Sequence, residues 1–245
     1  MPPKAYRYPL PEAWYREHQV RRYGFHGTSH AWVARRAAEL LDRPLEALNL
    51  ITLHLGNGAS AAAIAAGRSL DTSMGLTPLE GLMMGTRSGD IDPAIPNFVG
   101  NTLGLSNEAV DRALNRNSGL KGICGVNDMR EVLARAGSGD PNACLARDMY
   151  CYRAKKYIGA YCAVLGRLDA LVFTAGIGEH SPDIRAGICA GLEGMGIRLD
   201  EERNGQRLKH ARAIHRDDSR VAVLVIPTDE ELEIARQTRA VIEAG

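Results

Sequence analysis

The sequence predicts an α/β domain with a mixed sheet flanked by helices, and three features lead there. Apolar strand-like runs pass directly into glycine turns that end on polar side chains, at residues 50–58 (LITLHLGNG) and 171–180 (LVFTAGIGEH). The first opens a series of three strand-like runs, with Asn57-Gly58 between the first two, the dipeptide most characteristic of a tight hairpin. Beyond residue 140, helical patterns alternate with short apolar runs, as crossover connections in a layered sheet require. Glycine matters at both strand ends because it permits positive φ and lets backbone N–H groups approach an anion closely.

In chain order, residues 1–20 carry four prolines and several aromatics and read as an extended entry segment, with no helix before Glu12. His26-Gly27-Thr28-Ser29-His30 leads into the run AWVARRAAELL, with Thr28 or Ser29 as the expected cap and Pro44 beyond its end. The runs LITLHL, ASAAAIAAG and SLDTS form a meander. A loop-rich stretch over 74–96 precedes short helices after Pro93, at 106–116 and at 127–136. Asp140-Pro141 opens the longest helix, to about Arg167, with aspartate as cap and proline in the first turn. A strand over 170–174, a helix from Ser181-Pro182 through Ile188, a strand over 221–226 and a helix from Glu230 to about Glu243 complete the chain. No repeat, low-complexity tract or linker interrupts it. The order fits one domain over 1–229 with a mixed sheet of ribonuclease-H type, followed by a terminal helix over 230–245.

Composition narrows the partners. The chain has 245 residues, 45% apolar and 24% charged, with a net charge of +1, ordinary values for a globular domain with a proper core. Near-neutral charge offers no reason to expect nucleic acid or a membrane surface. No apolar run approaches the roughly 20 residues a membrane helix needs, and the N-terminus has no signal-peptide pattern. The five cysteines form no C-x-x-C pair, so no disulfide framework or zinc site is expected and a cytoplasmic setting is. Cys144, Cys151 and Cys162 share a helical stripe with Ile158 and Leu165 and read as small core residues.

The polar residues at the strand ends suit phosphoryl transfer, in which a metaphosphate-like group needs cationic and N–H donors around it more than covalent chemistry. Arg87, in Gly85-Thr86-Arg87-Ser88-Gly89, is a candidate cationic clamp, and His26 a candidate donor before a helix start. Asn57 with the Gly56 and Gly58 amides can hold a phosphate. Glu230, between strand and helix, can bind magnesium through water. Each has a structural competitor: Asn57-Gly58 as a plain hairpin turn, His54 as a core histidine, Arg87 as an ion-pair partner. Asp128 with Arg130 could be a cap and a surface charge, and Glu230-Glu231 favourable charge at a helix start. Gly176-Ile177-Gly178 lacks the full dinucleotide fingerprint.

Taken in order, YGFHGTSH (23–30), HLGNG (54–58), DTSMG (71–75), GTRSGD (85–90), AGIGE (175–179) and PTDEE (227–231) resemble the acetate kinase family, within the superfamily of sugar kinases, Hsp70 and actin. The resemblance runs the length of the chain. It implies an actin-like ATPase fold and reversible transfer of a phosphoryl group between ATP and acetate, with ATP or ADP and Mg2+ as cofactors. His26 and Arg87 match the residues that stabilise the transition state. His54, Leu55, Gly56, Asn57 and Gly58 match the nucleotide phosphate loop. Asp128, Met129 and Arg130, with Gly176, Ile177, Gly178, Glu179 and His180, match the segments around the adenosine, and Glu230 matches the magnesium-associated glutamate. Met129 and His180 stand where the family commonly has phenylalanine and asparagine, which touches nucleotide packing. The family dimerises through this domain, so the resemblance also implies a homodimer.

The resemblance further implies a missing partner domain. Full-length members carry an additional N-terminal domain before the point matching Met1, with an asparagine, a carboxylate-binding arginine and a catalytic aspartate that have no counterpart here. Met1-Pro2 itself resembles an internal Met-Pro of the family. The expectation is a chain with little or no activity in isolation, whose last helix, packed on the N-terminal domain in full-length members, has its stripe of Ile234, Thr238 and Val241 or Ile242 exposed or repositioned here. Alternatives are a propionate or butyrate kinase, and a non-catalytic nucleotide-binding or dimerisation module.

Overall fold

A computed structural model describes residues 1–244. Two short helices, α1 (Pro3–Tyr6) and α2 (Glu12–His18), precede α3 (Gly27–Leu40). Strands β1 (Asn49–Leu55), β2 (Ala59–Ala65) and β3 (Arg68–Thr72) form the meander. Helices α4 (Ile95–Leu103), α5 (Asn107–Arg116), α6 (Gly119–Cys124), α7 (Met129–Gly137) and α8 (Pro141–Leu165) follow. Then come β4 (Ala170–Thr174), α9 (Ala175–His180), α10 (Pro182–Cys189), α11 (Glu201–Gly205), β5 (Arg212–Ala213), β6 (Ala222–Val225) and α12 (Glu230–Ala244).

The strands form one mixed sheet in the order β3-β2-β1-β4-β6-β5. The meander pairs are antiparallel, and β1 with β4 and β4 with β6 are parallel. Because strand side chains alternate faces, β1 feeds two cores at once. Ile51, Leu53 and Leu55 join Phe173, Val223 and the α7, α8 and α10 residues Val132, Tyr150, Ile158 and Ile184 on one face. Leu50 joins Val172, Leu224 and the α3 residues Trp32, Val33 and Ala37 on the other. The small side chains of β2, Ala59, Ala61 and Ala63, are fully buried and let the long helix α8 lie close against the strand. All three parallel strands point their C-terminal ends the same way, the end at which open α/β sheets bind ligands.

Several expectations need correcting. The entry segment is not extended throughout: Pro3–Tyr6 is a helical turn ahead of Glu12, since proline is well placed at a first helical position. Neither Thr28 nor Ser29 caps α3; His26 sits at that position with φ +57° and no side-chain cap. Ser29 turns inward instead, its hydroxyl 2.9 Å from His54 Nδ1. The segment after β4 is not a turn but the start of α9, and the left-handed residue there is Ala175, at φ +63°. Gly56, Gly58, Gly176 and Gly178 all have ordinary φ, so their use is close approach rather than conformational freedom. Helix α6 and strand β5 were not foreseen, being six and two residues long and too short to carry a period.

Candidate active site

The ends of β1, β4 and β6 bring the separated motifs to one edge of the sheet. After β1 the chain turns through Gly56, Asn57 and Gly58, closed by Gly56 N–H donating to Gly58 O at 2.9 Å. A side chain at Gly58 would begin 3.4 Å from Arg87 Nη1 and 3.5 Å from His26 Nε2. The glycine therefore leaves an open cradle with a guanidinium and an imidazole on its rim. His26 and Arg87, 61 positions apart in the chain, meet there.

Arg87 is held by its backbone more than by its side chain. The start of α6 takes up its loop: Leu120 N–H donates to Met84 O, Lys121 N–H to Gly85 O and Ser118 N–H to Thr86 O. Gly119 lies so close beneath Met84 O and Arg87 O that no Cβ fits. Asp90 fastens the other flank, accepting from Tyr157 Oη at 2.6 Å and from Gly81 N–H at 2.8 Å. Among the described residues the guanidinium donates to Pro78 O at 3.3 Å and weakly to Met84 Sδ at 3.8 Å, and no carboxylate pairs with it. A half-buried arginine without an anion is suited to receive one.

Beneath the glycine turn lie three histidines on the α3 face of the sheet. Thr52 and His54 share one face of β1, and Ser60 on β2 stands opposite His54. The rings of His26 and His54 stack with centroids 4.0 Å apart. His26 Nδ1 bonds Ser60 Oγ at 2.9 Å, and buried His30 spans Ser60 Oγ and Thr52 Oγ1 at 2.8 and 2.7 Å. Burial pushes His30 and His54 down to about 3, and burial with the Arg87 charge also lowers His26. All three are neutral at neutral pH. His54 is thus a bonded core histidine, as the structural reading of the sequence allowed, and it is also the floor under His26.

Next to the cradle opens a cavity of about 510 Å³ lined by Gly56, Asn57, Asp128, Met129, Arg130, Gly176, Ile177 and His180. Asp128 caps α7 by accepting from Arg130 N–H, and Arg130 pairs with its carboxylate and holds it down at about 2. The cap and the cavity wall are the same residues. Asn57 is steadied from two sides: Asn127 Nδ2 donates to its Oδ1 at 3.2 Å and Gly85 N–H to its O at 3.1 Å. Ser181, Pro182, Asp183, Leu133 and Arg207 complete the lining; nothing in their spacing marked them in the sequence.

Other candidates lie nearby without reaching the cavity. Leu55 is fully buried core and offers only its backbone. Gly178 packs on Leu55 and Phe173. Glu179 turns back to the sheet, accepting from Thr228 N–H at 3.1 Å, which ties the β4 end to the β6 end. Arg185, also unforeseen, is fully buried and donates to Gly178 O, Glu179 O and both oxygens of Asn204. It fixes the last turn of α9, and burial with the neighbouring Arg212 charge pushes it down to about 10. Glu230 heads α12, half-buried and without a bonding partner among the described residues.

A model of the acetokinase family matches residues 1–236. The chain belongs to the acetokinase family. It is 60% identical to an acetate kinase of Sulfurovum sp. over 243 residues, which are 99% of this chain and 61% of that protein. An acetate kinase of Syntrophobacter fumaroxidans is 59% identical over 97% of this chain and 58% of its own length. Among solved structures, Porphyromonas gingivalis acetate kinase superposes with a TM-score of 0.96 at 46% identity, covering 99% of this chain and 61% of that one. A propionate kinase from Francisella tularensis superposes with a TM-score of 0.90 at 44% identity, over 96% of this chain and 60% of that one. The acetokinase fold, an actin-like ATPase fold, is therefore that of this chain, which spans about three-fifths of the length of these relatives. No helix among the described residues is long and apolar enough to cross a membrane.

Proposed function

We propose that this chain forms one wall of an acetate kinase active site, binding ATP or ADP and acting on the phosphoryl group passed to or from acetate. One observation carries the reading: the open cradle at Gly58, rimmed by Arg87 and His26, beside a cavity walled by Asn57, Asp128–Arg130, Gly176, Ile177 and His180. In this reading the adenosine of the nucleotide would occupy the cavity and its phosphates would lie over the glycine turn.

In the reaction, a carboxylate oxygen of acetate bonds to the γ-phosphorus while the bond to the ADP oxygen breaks, its electron pair leaving with ADP. Arg87 would offset charge on the equatorial oxygens, and neutral His26 would donate a hydrogen bond to one of them. His54 would brace His26 from below, and Gly56 and Gly58 would let the phosphates come close. Among the described residues no three His, Cys, Asp or Glu side chains gather into a metal site. Magnesium keeps several waters and takes phosphate oxygens as ligands; half-buried Glu230, without a bonding partner among the described residues, would hold it through water, and it would neutralise phosphate charge.

We also propose that the 245-residue polypeptide alone has little kinase activity, because the longer relatives would supply the opposite wall and dry the site. A second copy would pair with it as a homodimer. The acceptor is drawn as acetate from the relatives named acetate kinase; the Francisella relative makes propionate the second reading.

Calorimetry with MgADP tests the reading. Binding by the native chain, weakened at least tenfold by Arg87→Ala, supports it; no binding, or binding indifferent to Arg87→Ala, overturns it. Acetyl phosphate or propionyl phosphate formation, trapped as the hydroxamate, reports the acceptor and any residual turnover. Nucleotide binding without turnover, persisting when an intact relative's N-terminal part is added, would favour a non-catalytic module.

A further inference from the structure

The histidines beneath the glycine turn form a hydrogen-bonded chain whose direction follows from its closed end. Thr52 Oγ1 is fully buried, and its one partner among the described residues is His30 Nδ1, at 2.7 Å. A threonine hydroxyl owns a single proton. Were His30 Nδ1 the donor, that proton would be buried with no acceptor, an unfavourable arrangement in a low-dielectric interior. Thr52 therefore donates. Neutral His30 then carries its proton on Nε2 and donates to Ser60 Oγ at 2.8 Å. Ser60 is left with its own proton for His26 Nδ1, at 2.9 Å. With Nδ1 accepting, the His26 proton sits on Nε2, the atom facing the Gly58 cradle.

We propose that Thr52, His30 and Ser60 are positioning residues that lock His26 as the neutral Nε2–H tautomer, so that it offers a donor rather than a lone pair to an anionic oxyanion group above Gly58. Identifying that group as a phosphoryl rests on the proposed function; the lock itself does not. The lock has an opponent to overcome. Arg87 faces the same cradle, and an isolated neutral imidazole beside a guanidinium turns its lone pair towards the cation. The remaining neighbour, His54, stacks on the His26 ring and is neutral, so it adds no charge to either side. A fixed donor is what a developing phosphoryl charge needs, since it requires no reorientation at the moment of transfer.

The test is a long-range proton–nitrogen spectrum of histidine-labelled 245-residue chain at neutral pH, with His26 assigned by the signals lost in His26→Gln. The expected spectrum shows His26 as a single tautomer, protonated at Nε2 and bare at Nδ1. Thr52→Val, equal in shape but lacking the hydroxyl, should give a mixture with Nδ1–H present, and Thr52→Ser should restore the single form. His26 found as Nδ1–H in the native chain overturns the proposal, as does an unchanged signature in both Thr52→Val and Ser60→Ala. Should Thr52→Val fail to fold, the native spectrum and Ser60→Ala decide. Calorimetry with MgADP on the same native sample separates the two readings. An Nε2–H signature without nucleotide binding keeps the lock and removes the kinase, while nucleotide binding with the opposite tautomer does the reverse.

Discussion

His26 lies nearly flat against His54, the ring planes 15° apart, and neither ring has a carboxylate beside it among the described residues. Two imidazoles this close cannot both be charged, and burial already disfavours charge on each. Stability follows. In the unfolded chain a histidine takes up its proton near pH 6.5, whereas His30 and His54 resist protonation down to about 3. Between those limits the unfolded state binds more protons, so stability is full above about pH 6.5 and declines as the pH falls. The loss reaches about 1.4 kcal/mol per pH unit for each such imidazole. Urea unfolding at pH 7, 6 and 5 measures it, above the range where carboxylates protonate. His54→Asn should shallow the decline by about one proton; parallel declines would contradict the neutral cluster.

The cradle can be filled without disturbing the fold. A methyl at Gly58 meets Arg87 and His26 at ordinary contact distances, and the glycine φ is unexceptional. Gly58→Ala should change stability by less than about 0.5 kcal/mol, or about 2 °C in melting temperature, yet weaken MgADP binding at least tenfold by occupying the phosphate position. Gly85→Ala differs, because its methyl would collide with Asn57 Oδ1 and turn that amide away from the cavity. Nucleotide affinity of the two variants, beside their melting curves, checks both statements.

Arg185 is expected to be structural first. Its guanidinium satisfies buried carbonyls of Gly178 and Asn204, and each carbonyl left unbonded costs about 1–3 kcal/mol. Arg185→Leu should lower stability by about 3 kcal/mol or more, roughly 6–12 °C in a chain of this size. Arg185→Lys should recover only part, since an ammonium lacks the planar fork that reaches four oxygens. Equal melting temperatures for native and Arg185→Leu chains would refute this role.

The last helix divides into a pinned turn and a free end. Buried Glu233 pairs with Arg35 and accepts from Gln237, and Trp32 Nε1 donates to Pro227 O at 3.0 Å just ahead of the helix. Further along, Ile234, Val241 and Ile242 are 55%, 74% and 73% exposed. Amides of residues 238–243 should exchange fast in the isolated chain while those near Glu233 are protected. Val241→Ser with Ile242→Ser should raise solubility and leave the melting temperature in place. Slow exchange at 238–243 in a monomer would mean the stripe is covered.

Much of the frame could be read along the chain. The long helix begins at Pro141 behind its Asp140 cap, because side-chain capping and proline at a first turn act over four residues. The meander also needed no distant information, since Asn57-Gly58 and alternating apolar residues are local. Reading failed where the determinant lay elsewhere in the chain. Ser29 looked like a cap, yet its hydroxyl goes to His54 and Thr228, partners 25 and 199 residues away. Glu179 looked like a ligand-facing residue, yet it accepts from Thr228 N–H. Leu55 belonged to the phosphate motif and proves to be core.

Order, spacing and residue type along the chain were enough to define the α/β layering and the set of strand-end motifs, for these depend on short-range periodicity and on local backbone chemistry; the family came from the resemblance of those motifs to known ones. Which motifs meet was settled by the parallel pairing of β1, β4 and β6, which gathers three strand ends from distant stretches at one edge. The environment of the histidines was settled there too, because burial, the Arg87 charge and hydroxyl partners on other elements act through space, and linear order carries no record of those distances.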